Sequence, residues 1–176
     1  MEPVSLDVPE VPPVEKPWAL TGTKCEREHN IVNSLYLKPE ELEIKNFERY
    51  QKYKTIEENE TMYEEYLMED AENCVVAFGI TARVAKNAVN EARKRGVKGG
   101  MIRPITLWPF PTKPLSAAAE KCERFITVEM NMGQMIDDVK LAIDCKRPVD
   151  LCNRVGGMIP TPEDVLSAIM SNGGAE

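Results

Sequence analysis

An α/β fold with a mostly parallel sheet, covered on both faces, is the architecture that this sequence predicts, preceded by a proline-rich and helical N-terminal extension. Three observations carry that expectation. After residue 70, short apolar runs alternate with helical stretches four times, the rhythm of parallel strands joined by crossover helices. The strand runs are apolar at successive positions, which suits a sheet buried on two sides. Charge also changes near residue 70. Residues 1–70 carry 17 acidic and 8 basic side chains, whereas residues 71–176 carry 12 and 14. Two parts are therefore expected, 1–70 and 71–176.

The first part opens with Pro3, Pro9, Pro12, Pro13 and Pro17. Proline fixes φ and removes a donor, so this stretch is neither helix nor central strand. It reads as an extended arm, or as a strap along a partner, to which the Val4, Leu6 and Val8 alternation gives weight. Trp18 to Asn33 is irregular. A helix is expected to open at Lys38-Pro39-Glu40-Glu41, with proline in its first turn and acids at the positive end of the dipole. It is read as running to about Met68, with a break near Asn59. Its apolar residues recur mostly at three-residue spacing and drift around the helix, so it is no coiled coil. Its tyrosines suit a half-wet contact surface.

In the second part, Cys74 to Phe78 is the first strand, closed by Gly79. Thr81 is expected to cap a helix through about Arg95 that packs Ala82, Ala85, Ala88, Val89 and Ala92, with Gly96 at its end. Val97 to Arg103 is the second strand, stopped by Pro104. The loop Trp108-Pro109-Phe110-Pro111 follows, then a short helix over Leu115 to Cys122. Arg124 to Glu129 is the third strand. Asn131-Met132-Gly133-Gln134 leads into a helix to about Asp144. Val149 to Cys152 is the fourth strand, Gly156-Gly157 a loop, and Thr161-Pro162-Glu163-Asp164 opens the last helix.

Composition narrows the function classes. The chain has 176 residues and a net charge of −7, with 43% hydrophobic and 29% charged residues, values of a soluble globular protein. An acidic chain lacks the basic face of a nucleic-acid binder. The longest apolar run, Cys74 to Ala82, is nine residues, far short of a membrane span. The acidic, proline-rich start resembles neither a signal nor a transit peptide, and the cytoplasm is the expected location. Five cysteines (25, 74, 122, 145 and 152) without a CxxC pair form no disulfide framework or zinc ribbon. They are expected in the core, Cys25 excepted. The single histidine, His29, builds no His-rich metal site and reads as a loop residue, not a general base. A self-contained hydrolase or metalloenzyme is therefore disfavoured.

Ligands and partners of such a sheet meet the C-terminal ends of its strands. That rim is predicted to hold Gly79, Thr81, Arg103, Pro104, Glu129, Asn131, Gly133, Gln134, Arg154 and Gly156, with Trp108 and Phe110 on a protruding loop. Gly79-Ile80-Thr81 and Asn131 to Gln134 are tight capped turns or, in the alternative, amide cradles for an anion. No GxGxxG follows the first strand and no GxxxxGK[ST] occurs anywhere, so dinucleotide and P-loop signals are absent. Glu129 and Arg103 are expected to pair, since a buried charge needs a partner; a substrate clamp and an inter-subunit contact are the other readings. Trp108 and Phe110 among prolines read as an interface, with core packing as the alternative. Met130, Met132 and Met135 read as interface or core filler, not ligands.

The segments VVAFGITARVAKNAV, RPITLWPFP, VEMNMGQM and RVGGMIPTPEDV resemble the C-terminal region of the α subunit of 2-oxoacid:ferredoxin oxidoreductases, the 2-oxoisovalerate (3-methyl-2-oxobutanoate) type first and the 2-oxoglutarate type next. PWALTGTK, HNIVNSLYLKPEELE and YEEYLMEDAE are similar to the branch between the two domains of that subunit. The resemblance covers nearly the whole chain. Gly99-Gly100 departs from it, where a β-branched residue before one glycine is expected; this should soften the second strand without altering the fold. The resemblance implies a three-layer α/β/α sandwich like the transketolase C-terminal domain, with a five-stranded mixed sheet. Four parallel strands are legible; the antiparallel fifth is not, and the Tyr63 to Asp70 region stands in its place.

The resemblance also implies a reaction. A 2-oxoacid and coenzyme A become acyl-CoA and CO2, with electrons passed to ferredoxin, through thiamine diphosphate, Mg and iron–sulfur clusters. It implies that these groups lie on partner domains or subunits: the pyrimidine-binding domain N-terminal to residue 1, the GDG…N magnesium–diphosphate motif on a β subunit, and the cluster cysteines elsewhere. No catalytic, cofactor-binding or metal-binding residue is assigned to this chain. Its expected partners are the other domain of the α subunit and β-, γ- and δ-type subunits in an oligomer. The alternative is a stand-alone α/β module that binds an anionic small molecule around Gly79, Arg103 and Gly133.

Overall fold

The computed structural model describes residue 10 and residues 12–171. The Val4, Leu6 and Val8 strap reading, with Pro3 and Pro9, lies outside them. The described residues divide into two compact units between Phe47 and Glu48. In the first, Asn30 Nδ2 donates to the carbonyls of Pro17 and Ala19 and Arg27 donates to Gly22 O, so side chains tie the irregular stretch. Cys25 and His29 are both exposed there.

Helix α1 spans Pro39–Asn59 and buries none of its residues, as its drifting apolar pattern implies. It ends nine residues before the expected Met68. Asn59 Nδ2 donates to Thr55 O and Thr61 Oγ1 to Glu57 O, which satisfies carbonyls of the last turn. The chain then forms strand β1, Tyr63–Tyr66, antiparallel to β3. This is the fifth strand, in the Tyr63 to Asp70 region as the resemblance allowed. Its tyrosine–glutamate pattern alternates in burial with period two.

The remaining elements are β2 (Asn73–Ala77), α2 (Gly79–Lys94), β3 (Gly99–Pro104), α3 (Thr112–Ala119), β4 (Arg124–Glu129), α4 (Met135–Ala142), β5 (Val149–Asn153) and α5 (Pro162–Met170). The sheet order is β1-β3-β2-β4-β5, with β3, β2, β4 and β5 parallel. Strand pleating sends Cys74 and Val76 to a core shared with Leu115 of α3 and Val139 of α4. Val75 and Ala77 face the opposite core, with Ala85 and Val89 of α2 and Val165 of α5. The result is the expected three-layer α/β/α sandwich. Central β2 and β4 are almost wholly buried, as apolar runs require.

Gly99-Gly100 has a packing reason. A Cβ at Gly100 would lie 2.6 Å from Met68 Sδ, 2.7 Å from Leu67 O and 2.8 Å from Ala71 Cβ. The β1–β2 connection presses on β3 here and leaves no room for a side chain. Gly99 is unlike it: its nearest neighbour would be Val89 Cγ1, at 3.8 Å.

At the start of β4, Arg124 is buried. Its Nε lies 2.9 Å from Asp150 Oδ2, and its two Nη atoms donate to the carbonyls of Ala168 and Ser171. One guanidinium thus satisfies the C-terminal end of α5 and pins it to the sheet.

Of the cysteines, Cys74 and Cys122 are buried, Cys152 is intermediate and Cys145 is exposed. The core expectation fails at Cys145, which follows α4 with φ 53°. The chain turns there in the left-handed region, and the side chain stays in solvent.

Candidate functional site

Strands β2 and β4 are neighbours, yet α2 carries the chain from β2 to β3 on one side and α4 carries it from β4 to β5 on the other. The C-terminal ends of β2 and β4 therefore flank the topological switch point, where open α/β sheets take ligands.

Glu129 ends β4 at this point and is 1% exposed. Its Oε2 accepts the amides of Gln134 and Met135, and its Oε1 the amide of Ile136, each at 2.9 Å. Those amides belong to the first turn of α4, whose N-terminal residues have no intrahelical acceptor. A side-chain carboxylate thus fills the place that an anionic ligand would take. The expected Glu129–Arg103 pair is not the arrangement formed, because backbone donors from α4 satisfy Glu129. The loop between is braced: Asn131 Oδ1 accepts the Gly133 amide at 2.7 Å, and Asn153 Nδ2 donates to Asn131 O at 2.6 Å. Gly133 has φ 102°, a conformation that favours glycine.

Arg103 turns to β1. Its Nη1 donates to Glu64 Oε2 at 3.2 Å, while Lys86 Nζ lies 3.6 Å from Glu64 Oε1 and 4.4 Å from the Tyr66 ring centroid. Arg103 Nε is buried without an acceptor among the described residues. Two cations therefore share one carboxylate on this side of the rim. Pro104 is buried and ends β3. At β2, Gly79 has φ 56°. Thr81 is not the cap: Phe78 occupies that position, and Thr81 Oγ1 donates to Phe78 O at 2.8 Å from within the first turn.

Beyond β5, Arg154 forms a two-point pair with Asp164. Asp164 also completes a capping box with Thr161, at 2.9 and 3.2 Å. The guanidinium and the Thr161 amide hold its carboxyl down to about 2. Gly156 turns the intervening loop with φ 66°.

Trp108 and Phe110 do not join this rim cluster. They line a separate cleft of about 510 Å³ with Glu57, Glu58, Tyr63, Lys113 and others. The Trp108–Pro109 peptide is cis, and the Trp108 ring meets Tyr53 edge-on at 5.7 Å. Phe110 leans on the α3–α4 core, whereas Trp108 is 56% exposed. Met135 is buried; Met130 and Met132 are exposed. Sequence reasoning missed Glu57, Glu58 and Glu64, since acids on an exposed helix and a short strand carry no distinguishing local pattern.

Among the described residues, no three histidine, cysteine or acidic side chains are grouped to hold a metal ion, and no helix is long and apolar enough to cross a membrane. With the α4 amides taken by Glu129, the residues present do not fit a metal–diphosphate site.

A sequence profile of the pyruvate:ferredoxin oxidoreductase core domain II matches residues 71–165. The chain belongs to this family. The core domain II assignment agrees with its relatives. The ketoisovalerate oxidoreductase subunit VorB of Methanothermobacter marburgensis is 49% identical over 152 residues, which is 86% of this chain and 43% of that protein. The 2-oxoglutarate synthase subunit KorA of Methanothermobacter thermautotrophicus is 38% identical over 107 residues, covering 61% and 28%. The chain thus spans less than half the length of these relatives. The core domain II fold recurs in the 2-oxoglutarate:ferredoxin oxidoreductase from Magnetococcus marinus, with TM-score 0.63, 21% identity and coverage of 76% and 23%. It recurs also in a split-gene transketolase, with TM-score 0.54, 20% identity and coverage of 61% and 40%. The transketolase-like fold and the order of the resemblance, ketoisovalerate before 2-oxoglutarate, are both as expected.

Proposed function

We propose that this chain is the C-terminal assembly domain of the α subunit of a thiamine-diphosphate-dependent 2-oxoacid:ferredoxin oxidoreductase of the ketoisovalerate type, acting in the cytoplasm. In this reading, residues 71–176 form the transketolase-like domain and residues 1–70 the connector. The chain contributes packing surface, and the other α-subunit domain and the β-, γ- and δ-type subunits carry thiamine diphosphate, Mg and the iron–sulfur clusters. Coenzyme A and ferredoxin are met through the complex.

One observation carries the reading: Glu129 and Arg154, at this end of the sheet, are committed to partners within the chain, while apolar side chains at the same end are exposed. Glu129 serves α4 and Arg154 serves Asp164. Ile80, Leu107, Trp108, Met132 and Met158 are exposed. A catalytic rim keeps polar groups free for substrate, whereas an exposed apolar set marks a contact surface. Gly79, Thr81, Arg103, Pro104, Trp108, Phe110, Asn131, Gly133, Gln134, Arg154 and Gly156 then shape the face offered to the other domains. The open Arg103 Nε favours the second reading, an anionic small molecule at the rim; Glu129 at the start of α4 counts against it.

The test is calorimetric and enzymatic. The 176-residue chain is titrated with thiamine diphosphate and Mg²⁺, then assayed with 2-oxoisovalerate, coenzyme A and an electron acceptor. Neither binding nor turnover is expected until cofactor-bearing subunits are added. Turnover by the chain alone refutes the assignment.

A further inference from the structure

Two helix ends line the Trp108 cleft, and both carry charge placed against their own dipole. Glu57 and Glu58 lie in the last turn of α1, which holds no basic side chain, so two carboxylates stand at a negative pole. Lys113 lies in the first turn of α3, which has neither an acidic side chain nor a side-chain cap, so an ammonium stands at a positive pole. All three residues face the same cleft of about 510 Å³, and no described residue pairs with their charged groups. Exposed opposite charges elsewhere on this unit do pair, as Lys98 does with Glu72 and Lys146 with Glu120. Here the cleft keeps them apart.

The rest of the lining is largely apolar, with Trp108, Pro109 and Phe110 at its centre. It is held in place before any ligand arrives. Thr106 Oγ1 donates to Pro109 O at 2.8 Å, Phe110 packs on the α3–α4 core, and Tyr53 meets the Trp108 ring edge-on. The hydroxyls of Thr61 and Thr112 donate to backbone carbonyls. The polar side-chain groups left for a ligand are therefore the three charges and the Tyr63 hydroxyl. Small-molecule sites have this composition, apolar walls with a few polar groups, and volumes of roughly 300–1,000 Å³.

A simple cation leaves Lys113 unanswered, and a simple anion faces two carboxylates. A small zwitterion with an apolar side chain answers both poles. Its ammonium meets the carboxylates beside aromatic rings, and its carboxylate meets the lysine and the start of α3. We propose that the Trp108 cleft binds a free α-amino acid with an apolar side chain, its ammonium at Glu57 and Glu58 and its carboxylate at Lys113. This goes beyond the assembly role and does not depend on it.

The test uses the full chain in a Trp18→Phe background, which leaves Trp108 as the one tryptophan. Titration with L-valine and L-leucine should shift Trp108 fluorescence saturably, with a matching calorimetric isotherm. Isobutylamine lacks the carboxylate, 2-oxoisovalerate lacks the ammonium and glycine lacks the apolar side chain; each should bind at least about tenfold more weakly. The E57Q/E58Q double variant and Lys113→Met should each weaken L-valine by about tenfold, with unchanged circular dichroism. Absence of saturable binding of both amino acids, equal binding of the amine or the oxoacid, or indifference to either variant would each overturn the proposal. None of these measurements involves a cofactor-bearing subunit, so their failure leaves the assembly role standing.

Discussion

The carboxylate of Glu129 accepts the amide of Ile136, seven residues further along the chain, at 2.9 Å. With the amides of Gln134 and Met135 on its other oxygen, one buried side chain ties the end of the central strand β4 to the start of α4. The same bonds close the position where open α/β sheets take anions.

Glu129→Gln keeps the shape but turns one oxygen into a donor that faces backbone donors. A buried amide left without an acceptor costs about 1–3 kcal/mol. The variant should unfold at lower urea concentration by about 2–3 kcal/mol, with α4 amides losing hydrogen-exchange protection first. Unchanged stability would mean that the three bonds contribute nothing.

Gly100 and Gly99 should answer differently to alanine. At Gly100 the added methyl meets the Leu67 carbonyl and Ala71 within 2.8 Å, and overpacking of this kind costs about 1–3 kcal/mol. At Gly99 the nearest atom is 3.8 Å away, so Gly99→Ala should be neutral or slightly stabilising, since alanine lowers the entropy of the unfolded chain. Denaturant midpoints of the two variants decide it; equal losses would contradict the packing described.

Arg124→Met should detach α5. It removes the donors to Ala168 O and Ser171 O and leaves Asp150 without its cation. Breaking one side of a buried ion pair costs about 3–5 kcal/mol, with less expected here because Asp150 is partly exposed. Thermal unfolding and exchange of the α5 amides measure the effect, and an unaltered α5 would refute it.

Asp164 carries a pH dependence. Its folded carboxyl titrates at about 2 against an ordinary 3.8. The depressed value means that its contribution is fully present above pH 4 and is lost as pH falls towards 2. Asp164→Asn should therefore lower Tm at pH 5–7, and the gap from wild type should close between pH 4 and 2. A gap independent of pH would assign the effect to packing.

The parallel strands β2, β3, β4 and β5 and the start of α5 were legible because local chemistry announces them. Runs such as Cys74 to Ala77 have no place but a two-sided core, and Thr161 to Asp164 is a complete capping box within four residues. Strand β1 was not legible as a strand from its own residues. Tyr63 to Tyr66 follows a long glutamate-rich helix, and its extended conformation is set by pairing with β3 about forty residues away.

The parallel sheet covered on both faces was written in the βα rhythm and the apolar runs, since burial on two sides leaves no polar position along a strand. Only the tertiary structure settled the partners of the charges. The sequence pairs Glu129 with Arg103, a cation on a neighbouring rim segment. In the fold Glu129 turns to the amides of α4, while Arg103 shares Glu64 with Lys86. Backbone donors at a helix start satisfy a carboxylate as well as a cation does, and their position exists only once strand and helix are packed.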